Sequence, residues 1–238
     1  MGGCSARDSR GSWSVTTPLE YYIMEKRRYS SGASEEQEFE LSYKLACEQL
    51  SQISDIEEQC HKSGARCLGP NRIIIDYLNQ PYHIVIPDAE ILFENSRTEV
   101  PLKDKILILH YFTLAKGTPP TGILINYKQL PGGYSYFPAF TQRAINPFIK
   151  HFGPKPELLV DVSARLCGYK AEHGDVSTTI NVFNHVPITF VLWRGDEEFS
   201  PSGVILFDAN ISDYLSTEDV TVLCETIVWK LVRNDRST

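Results

Sequence analysis

Two periodicities of apolar residues run through this chain. Phe39, Tyr43, Ala46, Leu50 and Ile53 recur at steps of four and three and form one face of a helix. Ser34 and Gln37 precede them in a capping-box pattern, Glu35 and Glu36 suit the positive end of the helix dipole, and Lys62 with Gly64 marks the end. Ile73-Ile74-Ile75 and His83-Ile84-Val85-Ile86 flank Asn79-Gln80-Pro81 and predict a hairpin, with Ile91-Leu92-Phe93 as a third strand. Pro101 opens a second helix, whose buried face is Leu102, Ile106, Leu109 and Thr113 and beyond which lies Gly117. Residues 122–127 read as a strand, and residues 143–152 as a helix restarted at Asn146-Pro147. A short helix follows over 157–166, closed by Gly168. Val176, Thr178, Ile180 and Val182 then share one face of a strand, Asn184-His185 turns the chain, and Ile188 to Leu192 runs back. After Val204-Ile205-Leu206-Phe207 the last helix is capped by Ser216 with Asp219 and carries Val220, Leu223, Ile227 and Leu231 as its inner stripe.

Strands cluster in groups rather than alternating strictly with helices. The pattern therefore predicts one α+β domain over residues 34–238, a mixed and mainly antiparallel sheet covered by helices. Residues 1–33 are rich in Ser, Gly and Arg and read as a disordered tail with one aromatic patch, Tyr21-Tyr22-Ile23-Met24.

Composition narrows the function. The 238 residues carry a net charge of -7, which suits a cytoplasmic protein and opposes nucleic-acid binding, where phosphates call for a basic surface. No apolar run is long enough to cross a membrane, and the N-terminus has no signal-peptide core. The six cysteines are widely and irregularly spaced, as in a reducing compartment. Cys60-His61 and Cys67 form the single local cluster, read as a helix-end pair because a metal site calls for closer pairs.

The candidate chemistry lies in three places. Trp193-Arg194-Gly195-Asp196-Glu197-Glu198-Phe199 sets three carboxylates between two aromatics, suited to a partner surface, to a raised carboxyl pKa or to a hard cation. Its plain alternative is a solvated turn, and Trp193 and Phe199 are expected to anchor it against the core. Glu172-His173-Gly174-Asp175 offers His173 for proton exchange with Asp175, against the alternative of an exposed loop. His110, in apolar company, reads as a metal or axial ligand or as a core-edge histidine bonded to a carbonyl. Gly132-Gly133-Tyr134 is a loop whose glycines serve positive φ or close backbone approach, and it lacks the spacing of a phosphate loop.

With those segments in place, the chain resembles the family known as domain of unknown function 3786. The resemblance rests on Ile106-Leu107-Ile108-Leu109-His110-Tyr111, Leu130-Pro131-Gly132-Gly133, His173-Gly174-Asp175, the stretch 193–199, Leu206-Phe207-Asp208 and Tyr214-Leu215 with Glu218-Asp219, in that order within residues 37–233. The resemblance implies a prokaryotic, mostly anaerobic setting but no established reaction. Some relatives look fused to a cysteine-rich domain similar to that of corrinoid iron–sulfur proteins, and this chain lacks the closely spaced cysteine pairs of such a domain. That association implies a non-catalytic accessory protein that recognises a corrinoid- or redox-cofactor-containing protein partner through His110, Gly132, Gly133, Tyr134, His173, Asp175, Trp193, Asp196, Glu197, Glu198 and Phe199. The alternative is an enzyme using His173, Asp175 and the carboxylates of Asp196, Glu197 and Glu198 for acid–base or divalent-metal chemistry. No cofactor follows from the residues.

Overall fold

A computed structural model describes residues 6–7, 13–14, 35–69, 71–94, 96 and 98–235. The predicted tail lies outside the described residues, apart from an antiparallel pair of two-residue strands, β1 (Ala6–Arg7) and β2 (Trp13–Ser14). The aromatic patch at 21–24 and the predicted cap Ser34 also lie outside them.

The first predicted helix forms as two. α1 (Glu35–Ser51) buries Ala46 and Leu50, and α2 (Ile56–Ser63) follows after a break. Asp55 causes the break: its backbone is extended, and its carboxylate accepts the Glu58 N–H to cap α2. Gly64 closes α2 in the left-handed region, at φ 68°.

Four strands then make the first sheet, in the order β3 (Arg66–Cys67), β4 (Arg72–Tyr77), β5 (Gln80–Val85) and β6 (Glu90–Phe93), every pair antiparallel. Its hairpin turns at Leu78 and Asn79, both at positive φ, one step earlier than the Asn-Gln-Pro signal predicts. The Leu78 N–H donates to Val182 O at 2.9 Å and ties this turn to the second sheet.

That second sheet has the order β7 (Leu124–Asn126), β11 (Ser202–Asp208), β10 (Val186–Trp193), β9 (Val176–Phe183) and β8 (Tyr169–Lys170), again all antiparallel. The predicted single sheet is thus two, because β4 turns onto β9 through one backbone bond instead of pairing along its length. Val176, Thr178, Ile180 and Val182 share a face as predicted, but Ser177 and Thr179 are buried too, so helices and loops cover both faces.

α3 (Leu102–Leu114) and α7 (Thr217–Asn234) are the central helices. Ser216 and Asp219 form the predicted capping box, and Val220, Leu223, Ile227 and Leu231 are all at most 1% exposed. α4 (Gly133–Phe140), a π-helical turn (Thr141–Ile145) and α5 (Asn146–Phe152) follow one another as continuous helix, so Asn146-Pro147 restarts nothing. Pro147 lies inside this continuous run, where its missing N–H leaves a carbonyl of the preceding turn without its helical donor. α6 (Glu157–Ser163) closes through Cys167 at positive φ and the Gly168 N–H on Ser163 O. One hydrophobic core joins both sheets and the helices into a single α+β domain. Among the described residues no helix is long and apolar enough to cross a membrane.

Candidate functional site

The loop 173–175 and the turn 193–201 meet at one end of the second sheet. Strand pairing sets the meeting: Val176 lies opposite Leu192, so the residues that flank the two strands face each other. The Asp175 N–H donates to Leu192 O at 3.0 Å, and its carboxylate accepts the Arg194 N–H at 2.8 Å. Gly174, at φ 57°, packs so tightly that an added Cβ would lie 2.6 Å from Val191 Cγ1. The His173 N–H donates to Ser177 Oγ, and its side chain is exposed.

Asp196 organises the turn from within. Its carboxylate accepts the N–H groups of Phe199 at 2.7 Å and Glu198 at 2.8 Å, which hold the carboxyl below the usual range. Glu197 and Glu198 are exposed. Arg194 pairs with Glu157 on α6. A cleft of about 490 Å³ opens between the turn and the loop after α5, lined by Gly153, Pro154 and Pro156 on one side and residues 194–201 on the other.

The expected anchoring of Trp193 and Phe199 does not hold: they are 42% and 69% exposed. Side chains alternate along a strand. Val191 and Leu192 are 1% and 0% exposed on the two faces, so both are covered up to this point, and Trp193 is open because it ends the ladder, opposite Ser202.

The other predicted residues gather elsewhere. His110 is 3% exposed on α3, and its Nδ1 lies 2.7 Å from Asp219 Oδ1 at the start of α7. Asp219 Oδ2 accepts Ser216 Oγ–H at 2.6 Å and Ser216 N–H at 3.1 Å. Burial pushes the Asp219 carboxyl up, but His110 and the Ser216 donors outweigh it and hold the carboxyl below the usual range. The hollow beside His110 measures about 20 Å³, room for a water and not for a tetrapyrrole. His110 is therefore a core histidine bonded to a carboxylate, not one placed as an axial ligand.

The Gly132-Gly133 loop docks on the same first turn of α7. Thr217 Oγ1–H donates to Pro131 O at 2.7 Å, and Tyr127 OH meets Thr221 Oγ1 at 2.7 Å. Gly132 takes φ 70°, while a Cβ on Gly133 would lie 2.0 Å from Tyr127 O. Each of the two reasons given for glycine therefore applies to one of the pair. Tyr134 is 78% exposed at the start of α4. The helical stretch 133–152 separates it from the acidic turn by roughly 30 Å at about 1.5 Å per residue, so the predicted residues form two regions.

Two features escape the sequence. Asp208 is 3% exposed and accepts Thr121 N–H, Thr121 Oγ1–H, Gly122 N–H and Asn210 N–H, which pins the 118–123 segment to β11. The Asp-x-Asn order is a local signal for such a turn. A cleft of about 680 Å³ lies between α1, α3 and α7 beside Trp229, which is 44% exposed because it falls off the inner stripe. Among the described residues no group of three or more His, Cys, Asp or Glu side chains is placed to hold a metal ion.

No curated protein and no solved structure matches this chain. The family model described as Domain of unknown function (DUF3786) matches residues 55–230, which include every stretch that carries the resemblance. That match spans well over half of the 238 residues, and the chain belongs to the DUF3786 family.

Proposed function

We propose that this chain is a non-catalytic binding protein, and that the loop 173–175 with the turn 193–201 is the face on which a protein partner docks. The observation that carries this reading is the exposure of Trp193 and Phe199 on backbone held by hydrogen bonds at both ends. Rigid exposed aromatics supply interface area at small entropic cost. Glu172, Asp175, Asp196, Glu197 and Glu198 are exposed on the same loop and turn, and the nearby Arg194 is already paired with Glu157. That excess of negative charge favours a basic partner surface. A cytoplasmic setting in anaerobic metabolism and a corrinoid- or redox-cofactor-carrying partner are the finer part of the proposal, supported by the family resemblance alone.

The enzyme reading has less support. Asp175 and Asp196 spend their carboxylates on backbone N–H groups, and among the described residues no hydrogen bond joins the His173 and Asp175 side chains.

The test is capture of the full chain's partner by cross-linking in its native cell, identification by mass spectrometry, and affinity measurement with purified components. Trp193→Ala with Phe199→Ala should weaken binding at least tenfold, and Glu197→Gln with Glu198→Gln should flatten its salt dependence. Unchanged affinity in both variants would refute the docking face. Cobalamin added to the chain alone separates a partner's corrinoid from one held here: a bound-state absorbance change would assign the corrinoid to this chain.

A further inference from the structure

Cys60 and Cys67 stand on either side of a chain reversal. α2 ends at Gly64, and the Ala65 N–H bonds back to Cys60 O at 2.9 Å, which brings β3 alongside the last turn of the helix. Both side chains pack on the same core: Cys60 is 4% exposed, whereas Cys67 is partly open to solvent. The last turns of α2 pack against β3, and Cys67 lies near enough to Cys60 to help push its thiol up. The Cys67 thiol donates to Gly69 O at 3.2 Å. The surrounding turn is held from outside, Tyr111 OH donating to Ser63 O at 2.8 Å and Asn184 Nδ2 to Gly64 O at 2.5 Å.

We propose that Cys60 and Cys67 form a redox dithiol, which closes to an intramolecular disulfide when the chain meets a hydroperoxide and reopens under a thiol reductant. The order of events follows from exposure. Burial and the neighbouring Cys67 push the Cys60 thiol up to about 12, so Cys67, the accessible partner, is oxidised first. Its sulfur attacks the peroxide O–O bond, giving the Cys67 sulfenic acid and an alcohol, or water from hydrogen peroxide. Cys60 sulfur then attacks Cys67 sulfur: the S–S bond forms, the S–O bond breaks, and water leaves with the Cys60 proton. The two thiols lose two electrons in all, and the peroxide oxygens gain them. Closure ties the end of α2 to β3 across a turn already bonded to α3 and to the β9–β10 connection.

The test treats the full-length chain with hydrogen peroxide, blocks remaining thiols with N-ethylmaleimide, and maps peptides by mass spectrometry. The expected product is a Cys60–Cys67 link, two hydrogens lighter than the dithiol and restored by dithiothreitol. Cys67→Ala should abolish the link and leave Cys60 alkylatable after denaturation. Cys60→Ser should accumulate a Cys67 sulfenic acid that dimedone traps. Should the buried Cys60→Ser substitution prevent folding, the Cys67→Ala arm decides. Three results overturn the proposal: Cys67 oxidised while Cys60 remains a free thiol, either residue linked to a different cysteine, or no oxidation at Cys67.

Discussion

Replacing Asp219 with alanine removes several interactions of known size at one point. The carboxylate sits opposite His110 with the two side chains 8% and 4% exposed, so solvent screens the pair little. Removing one partner of a buried charged pair costs about 3–5 kcal/mol. Loss of the Ser216 cap costs about 1 kcal/mol. The two losses share one side chain and do not simply add, which places Asp219→Ala at roughly 4 kcal/mol. At about 2–4 °C per kcal/mol for a domain of this size, the melting temperature should fall by roughly 8–16 °C. Ser216→Ala, which keeps the pair and loses the cap hydroxyl, should cost about 1 kcal/mol.

The pH dependence has a definite sign. The Asp219 carboxyl titrates lower in the folded chain than in the unfolded one, so its contribution is present above about pH 4, the unfolded carboxylate range, and is lost as pH falls through the folded value. Urea unfolding of wild type and Asp219→Asn across roughly pH 2.5–7 should therefore show a stability gap that narrows on the acid side. A melting shift for Asp219→Ala no larger than that of Ser216→Ala would refute the reasoning, since the cap alone would then account for the whole effect.

Three further outcomes follow from other contacts. Gly133→Ala should disrupt the 127–133 loop, since the new methyl would lie 2.0 Å from Tyr127 O; a melting curve like wild type would count against that close approach. Asp208→Ala should cost about 2–4 kcal/mol by leaving backbone donors of Thr121, Gly122 and Asn210 without their acceptor, and hydrogen exchange at those amides should rise with it. Trp193→Ala should cost no more than about 1–2 kcal/mol, below the value for a buried tryptophan, because the ring is 42% exposed; a loss above about 3 kcal/mol would show it to be a core residue.

The legible parts of the fold are those where local chemistry and tertiary packing agree. α7 shows this well, with its capping box and inner stripe both readable from spacing. The β4–β5 turn is the opposite case. Leucine at positive φ is no turn signal, and Leu78 adopts it where its N–H reaches Val182 of a strand about a hundred residues away in sequence. The break between α1 and α2 is readable in principle from Ser54-Asp55 ahead of Glu57-Glu58, but the apolar period runs into it as far as Ile53 and hides it. The π-helical turn at Thr141–Ile145 has no local signature.

The candidate site divides in the same way. A regular hairpin about Asn184-His185 would set Val176 opposite Trp193; the irregularity between Val186 and Pro187 shifts the register by one, so Val176 meets Leu192, and the strand assignment brings Asp175 near Arg194 without fixing their pairing. The contact of His110 with Asp219 joins two helices 109 positions apart, and no spacing rule reaches it. Much of what carries the family resemblance then proves to be architecture. Asp208 and Asp219 hold backbone ends, Gly133 and Gly174 allow close approach, and Tyr214 OH donates to Thr118 O at 2.5 Å. These contacts give those residues roles in the fold. The candidate residues His173, Glu197, Glu198, Trp193, Phe199 and Tyr134 are exposed. Five of those six lie on the loop and turn at one end of the second sheet, with Tyr134 at the far end of a helical rod. Among the candidate residues, those whose side chains are open to a partner therefore concentrate at the acidic, aromatic edge where we place it.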